Sequence, residues 1–197
     1  HGYAGSTFLC RLLDTPGVCL GYAEPNVHFH HYDDPDMRAL CRRTTAPGET
    51  ALMKTLPGEM KNAARHFADN EGARGLYLYA PLEDYIASTL RHGYRREYVS
   101  AMARNLLGVE CDDPGEAAVT WWTWAAREAI ALAASRPLRV LAADDFYADV
   151  EGAAARVWDW YGFAPRTDWS ATIRAVGSTH SKNRSPFSAE DRRVQRR

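Results

Sequence analysis

His1-Gly2-Tyr3-Ala4-Gly5-Ser6-Thr7-Phe8-Leu9 opens the chain, and its reading decides the fold. Small residues run into two hydroxyls, and an apolar pattern with helical spacing follows at Phe8, Leu9, Leu12 and Leu13. A glycine-rich turn that opens a helix presents backbone N–H groups at the positive end of the helix dipole, which suits a phosphate. Ser6 and Thr7 add hydroxyl donors where phosphate loops carry a Lys-Ser/Thr pair. Taken alone, the stretch is better explained as a plain Gly/Ser turn capping a helix. The rest of the chain changes that balance. A phosphate loop normally follows a buried strand, whereas this chain opens on the loop itself, so the expectation is a sheet whose first strand is missing from this chain.

The 197 residues suffice for one domain, 1–197, with its own hydrophobic core. An apolar share of 46% and a charged share of 25% are those of an ordinary globular protein. The formal net charge of −1 argues against bulk attraction to nucleic acid or a membrane surface, and leaves room for a local basic pocket. No apolar run approaches the ~18 residues of a membrane span, and no charged-then-apolar leader is read at the start. Cys10, Cys19, Cys41 and Cys111 lack C-x-x-C spacing, so reduced thiols and a cytoplasmic location are expected.

Along the chain, Asp14-Thr15-Pro16-Gly17 is a turn and Val18–Tyr22 a short strand. Glu24 to Pro47 reads as an irregular excursion; Ala51–Lys54 is a second strand, followed by helical periodicity from Glu59 to Asp69. Gly75–Ala80 is the best strand, and Pro81 with Glu83 and Asp84 opens a helix running through Arg91. Further helices are expected over Tyr94–Leu107, Pro114–Ala134 and Asp149–Tyr161, with a strand at Leu138–Leu141. The last thirty or so residues are polar, basic and weakly periodic, and 185–197 is expected to be a flexible basic tail. Short apolar strands alternating with helices predict an α/β fold: a three-layer sandwich with a central parallel sheet flanked by helices.

In this order the pieces resemble the sulfotransferases that use 3′-phosphoadenosine-5′-phosphosulfate (PAPS), a P-loop-containing α/β family. Gly5–Leu9 looks like the loop for the 5′-phosphosulfate, and Tyr22-Ala23-Glu24-Pro25 like a segment carrying an acidic residue in bacterial-type members. Tyr77 to Ser88 is similar to the strand-turn-helix that binds the 3′-phosphate. Leu141 to Tyr147 and Asp149 to Phe163 match the late strand, acidic turn and helix, and Thr179–Arg184 resembles a C-terminal phosphate-binding loop.

The resemblance implies a sulfuryl transfer from PAPS, with no metal, to a hydroxyl or amine of a small molecule or carbohydrate. Such a transfer is an in-line displacement dominated by positioning and charge stabilisation. Gly2, Tyr3, Ala4, Gly5, Ser6 and Thr7 would hold the 5′ end of the donor; Ser88, Arg91, Lys182 and Arg184 would hold its 3′-phosphate. Arg91 lies one turn beyond Ser88 on the same helix face. Glu24 is the candidate base for the acceptor proton, with His28 a lower-ranked rival alongside His30 and His31. Lys54, at a strand end, would reach the sulfuryl group or its bridging oxygen. The His cluster has no carboxylate or Cys at ligand spacing, so no metal is assigned. Trp121, Trp122 and Trp124 read as core and acceptor-pocket wall, and Asp144 and Asp145 as structural residues capping the turn that follows.

Two positions depart from the family pattern. Tyr3 stands where members carry Lys or Arg before the loop glycine, and Tyr79 where they often carry Arg at the strand end. Losing one charged clamp removes several kcal/mol of transition-state stabilisation, on the order of what one lost oxyanion donor costs. A catalytically weak or inactive sulfotransferase-like module that binds a nucleotide or a partner is therefore the alternative. A P-loop kinase ranks last, because no G-x-x-x-x-G-K-[ST] lysine is present.

Overall fold

The structure, a computed structural model, describes residues 5–23, 48–55, 57–91 and 93–177. Helix α1 (Ser6–Leu13) buries Leu9, Cys10, Leu12 and Leu13 on one side, the stripe that its helical spacing demands. It ends in the turn at Asp14, whose N–H donates to the Cys10 carbonyl at 3.1 Å, and a bridge from Thr15 to Cys19 feeds the next strand. Strand β1 (Cys19–Ala23) then doubles back beneath α1. At Gly21 a Cβ would lie 3.0 Å from the Cys10 carbonyl oxygen, so the absence of a side chain there sets how closely helix and strand pack. The Gly21 N–H donates to Asp14 Oδ1 at 3.0 Å and ties the strand to the helix end.

β1 runs parallel to β2 (Thr50–Lys54), with Cys19 opposite Thr50 and Ala23 opposite Lys54. A 3-10 turn (Pro57–Asn62) and α2 (Ala63–Asp69) lead to β3 (Gly75–Tyr79). β3 is parallel to β4 (Leu138–Ala142), Gly75 opposite Leu138 and Tyr79 opposite Ala142. Between them lie α3 (Leu82–Leu90), α4 (Gly93–Leu107) and α5 (Pro114–Ala133). After β4 come α6 (Ala143–Ala148), α7 (Val150–Trp160) and α8 (Trp169–Gly177). The chain is thus mixed α/β with parallel strand pairing. The described residues form two separate two-stranded sheets, β1-β2 and β3-β4, where a single central parallel sheet lacking its first strand was expected.

β3 is covered on both faces, as period-two alternation requires. Leu78 joins the main core with Leu9, Leu12 and Leu13 of α1 and Ala153, Ala154, Val157 and Trp158 of α7. Tyr77 points the other way, into a smaller core with Ala125 and Ala129 of α5. Those alanines belong to a stripe (Ala117, Ala118, Trp121, Ala125, Ala129, Leu132) that lets α5 pack closely along its length. Asp113 caps α5 by accepting from the Glu116 N–H at 3.0 Å, and Pro114 occupies its first turn.

Two helices were not read from the sequence. Asp144 and Asp145 sit in the first turn of α6 and make no side-chain cap; the capping acid is Asp149, whose Oδ1 accepts from the Gly152 N–H at 2.8 Å to start α7. α8 lies in a stretch read as polar and weakly periodic; its fully buried residue is Trp169, with Ile173 and Val176 packed against the main core. Trp169, 3% exposed, packs edge-on against Trp158 at 5.6 Å. The Arg166 guanidinium stands 4.7 Å over the Trp169 ring and donates to Thr15 Oγ1 (2.8 Å) and the Leu12 carbonyl (3.3 Å). A cation at the carboxyl end of α1 suits the helix dipole and fastens α8 to the opening helix.

Candidate functional site

Gly5 starts α1 in the left-handed region, at φ +82°, ψ 13°, and its carbonyl accepts the first helical hydrogen bond, from Leu9 N–H, at 2.9 Å. The amides of the first turn have no intrahelical acceptor, so they project from the helix end with its partial positive charge. This end faces the carboxyl ends of both strand pairs. Ser6 lines one cavity of about 90 Å³ together with Met53, Lys54 and Thr55 from the end of β2 and with Leu76 and Leu78 of β3. From the other pair, Tyr147 of α6, just beyond β4, packs onto Gly5: a Cβ there would collide with the phenol oxygen and sit 2.9 Å from Cζ.

Ser6 and Lys54, assigned from sequence, are therefore brought to the same cavity; Thr7 is half-buried in the next position of the helix. Thr55 and Tyr147 were not singled out. Tyr147 is 52% exposed, and burial of part of its ring raises its phenol above the ordinary value, so it stays an O–H donor at neutral pH. Its only sequence signal was its place after the late strand. The cavity's apolar wall includes Cys10. Burial, with Asp14 adding to it, pushes the Cys10 thiol up to about 11, and burial pushes Cys19 up to about 12, so neither is a nucleophile at neutral pH.

Ser88 lies on α3, outside the cavity that Ser6 and Lys54 share. Its Oγ accepts from Arg95 Nη1 at 2.9 Å, and its carbonyl accepts from the same nitrogen at 3.1 Å. Arg95 also stands 5.4 Å over the Tyr94 ring, and partial burial lowers its pKa. Arg91 is exposed at the end of α3, its N–H donating to the Ala87 carbonyl at 3.2 Å. Sequence reading chose Arg91 from its spacing to Ser88. The cation that reaches the serine is Arg95, which comes from the next helix and has no spacing rule to reveal it.

At the end of β3, Tyr79 is stacked on Tyr77 (6.3 Å, 12° between planes) and meets Trp122 edge-on at 6.3 Å. Trp122 Nε1 donates to the Ala80 carbonyl at 2.9 Å and pins the turn into α3. Trp121 is core, 2% exposed, while Trp122 and Trp124 are half-buried. Gly2, Tyr3, Ala4, Glu24, His28, Lys182 and Arg184 lie outside the described residues, as does 185–197. Among the described residues no group of three His, Cys, Asp or Glu side chains stands close enough to hold a metal. No helix among them is long and apolar enough to cross a membrane. Neither a family model nor a curated protein nor a solved structure gives a match to this chain.

Proposed function

We propose that the chain is a sulfotransferase that takes its sulfuryl group from PAPS and has the three-layer, P-loop-like architecture of that family, acting in the cytoplasm. The observation that carries this reading is that Ser6, next to left-handed Gly5 at the amino end of α1, lines one cavity together with Lys54 and Thr55 at the carboxyl end of β2. Anionic ligands of α/β proteins bind at such edges, where helix ends and strand-end side chains meet. The residues fit the 5′ end of the donor: the helix amides and the Ser6 hydroxyl donate to its oxygens, and the Lys54 ammonium offsets the charge that develops on the bridging oxygen. PAPS supplies the sulfuryl group: the acceptor oxygen bonds to sulfur, the bond from sulfur to the 5′-phosphate oxygen breaks, and the acceptor proton passes to a base. Glu24 remains the candidate for that base, with His28 its rival.

Ser88 with Arg95 is the second anion site in this reading. The Ser88 hydroxyl and the Arg95 guanidinium already stand in hydrogen-bond contact, and the cation takes the part expected of an Arg at Tyr79. The acceptor is a hydroxyl or amine on a small molecule or carbohydrate.

Calorimetry with 3′-phosphoadenosine 5′-phosphate tests the proposal. A micromolar-range site is expected, weakened about 10-fold or more by Lys54→Ala, and by a smaller factor by Ser6→Ala. Absence of heat on titration into the folded protein overturns it. The packing of Tyr147 against Gly5 favours a second reading, a nucleotide- or partner-binding module without turnover. Transfer of labelled sulfate to a panel of alcohols and glycans separates the two: binding without transfer selects the second.

A further inference from the structure

We infer that the outer edge of β4 pairs with the same edge of a second copy of this chain, antiparallel and centred on Val140, so that β3-β4 of one copy continues into β4-β3 of the other. Among the described residues β4 pairs only with β3, which leaves its other edge open. Arg139 and Val140 point to opposite faces of the sheet, as consecutive strand residues must, and both are exposed, Val140 by 47%. A strand exposed toward both faces at its middle is the border of its sheet. A β-branched residue there suits the pleated surface of another strand better than it suits water.

The backbone fixes the centre of the pairing. The N–H and C=O of one strand residue leave on the same side, and the side alternates from residue to residue. The Gly75 N–H donates to the Pro137 carbonyl at 2.8 Å, so Pro137, Arg139 and Leu141 address β3, while Leu138, Val140 and Ala142 address the open edge. The Leu138 N–H is taken by the Arg136 carbonyl at 2.7 Å. The outward N–H and C=O of Val140, the N–H of Ala142 and the C=O of Leu138 are self-complementary about Val140. An antiparallel second copy exchanges both bonds between the two Val140 residues, and each Ala142 N–H donates to the opposing Leu138 carbonyl.

The charges at the two ends of β4 agree with this register. Arg136, just before the strand, and Asp144 and Asp145, just after it, are exposed and make no ion pair with any described residue. A two-fold turn about Val140 brings Asp144 and Asp145 of the second copy to the amino end of β4, where Arg136 stands, and symmetry repeats the contact. Opposite charges so placed fix the register. Arg139 works against the pairing, because the two copies of it become diagonal neighbours about 7–8 Å apart; each is held on its own copy by Trp160, whose ring centroid lies 4.2 Å from the guanidinium. An unrelated acidic strand satisfies Arg136 and Arg139 but meets Asp144 and Asp145 as like charges, so a second copy is the better fit. This surface is separate from the anion site, and its test does not depend on what that site binds.

Sedimentation equilibrium of the ligand-free chain tests it. One short strand per copy is small beside the ~1,600 Å² of a standard interface, so dimers are expected with a dissociation constant in the micromolar range, measured up to about 200 µM protein. Val140→Pro removes an outward donor and leaves the ladder to β3 intact, so it is expected to raise the dissociation constant about 10-fold or more while the thermal transition stays cooperative. Arg136→Asp is expected to raise it about 5-fold, and adding Asp144→Arg and Asp145→Arg to that variant is expected to recover the association. This second series gives an answer even where Val140→Pro does not fold. A chain that stays monomeric up to about 200 µM overturns the inference and leaves the edge to another partner. A dimer that both Val140→Pro and Arg136→Asp leave unchanged, or a triple charge reversal that recovers nothing, overturns it as well.

Discussion

Gly5→Ala tests the geometry on which the anion site depends. Gly5 sits at φ +82°, a conformation that costs an L-residue with a Cβ about 1–2 kcal/mol. The new methyl also meets Tyr147 Cζ at 2.9 Å and Phe146 Cε1 at 3.3 Å. The two neighbours respond differently. Tyr147 is 52% exposed and swings aside, whereas Phe146 is fully buried and cannot. Backbone strain is therefore the larger part of the penalty, and removing Tyr147 relieves only the smaller part. In a chain of this size 1 kcal/mol moves Tm by about 2–4 °C, so Gly5→Ala is expected to lower Tm by about 2–8 °C. Urea unfolding followed by tryptophan fluorescence gives the free energy directly. The decisive comparison is made in the Tyr147→Ala background. There Gly5→Ala still costs about 1 kcal/mol or more, and Gly5→Asn costs less than Gly5→Ala because Asn tolerates the left-handed region. A penalty under about 0.3 kcal/mol in that background refutes the left-handed turn and, with it, the presentation of the first-turn amides.

Arg95→Gln is expected to reduce preferentially the affinity for ligands bearing a 3′-phosphate. The ratio of dissociation constants for adenosine 5′-monophosphate and 3′-phosphoadenosine 5′-phosphate falls about 10-fold, while Arg91→Gln changes it less; an unchanged ratio in Arg95→Gln removes Arg95 from the site. Asp149 has its pKa held below the usual carboxylate value by the Gly152 N–H and by Arg156, so its contribution to stability is complete above the unfolded value, about pH 4, and is lost as pH falls through the folded one. Tm of Asp149→Asn is accordingly expected to fall less steeply than that of the parent below about pH 4 in a thermal scan series. Cys10 and Cys19 are buried with raised pKa values, so in a Cys41→Ser/Cys111→Ser variant both remaining thiols react with a disulfide reagent only as fast as the protein opens. Fast labelling of either in the native state contradicts the packing of α1 on β1.

The elements legible in the sequence are those in which local pattern and tertiary burial agree. Gly75–Tyr79 reads as a strand because its apolar residues suit both of the faces they meet, and Pro114–Ala133 reads as a helix because Asp113, Pro114 and the alanine stripe all point the same way. α6 and α8 were missed for the opposite reason. Ala143–Ala148 is short and polar at its start, and it is held by Phe146, which no residue of the main core leaves exposed. Trp169–Gly177 follows a charged turn, and its place is set by Trp158 and Arg166, partners near in space whose pairing has no helical or strand period. Which strands pair, β1 with β2 and β3 with β4, was not legible either, since a pattern of short apolar runs says which segments are strands and not which edges meet.

The same division explains the candidate site. Ser6 and Lys54 were legible because each sits at a boundary that the chain itself marks, the start of a helix and the end of a strand, and α/β connectivity delivers both boundaries to one edge. Arg95 was not, because it reaches Ser88 across a helix-to-helix turn rather than along one helix. Its placement bears on the departure at Tyr79. That side chain is locked between Tyr77 and Trp122, in a stack that also positions the Ala80 carbonyl, so a guanidinium at position 79 would break the aromatic packing holding β3 against α5. With the strand end committed to packing, the cation that the proposed function asks for beside Ser88 comes from elsewhere. α4, which begins immediately after α3, is the nearest element able to supply one, and Arg95 in its first turn does so at 2.9 Å. Aromatic packing at the strand end and cationic reach from the following helix are thus two parts of one solution, and a substitution at Tyr79 disturbs the site through β3 and α5 before it alters any charge.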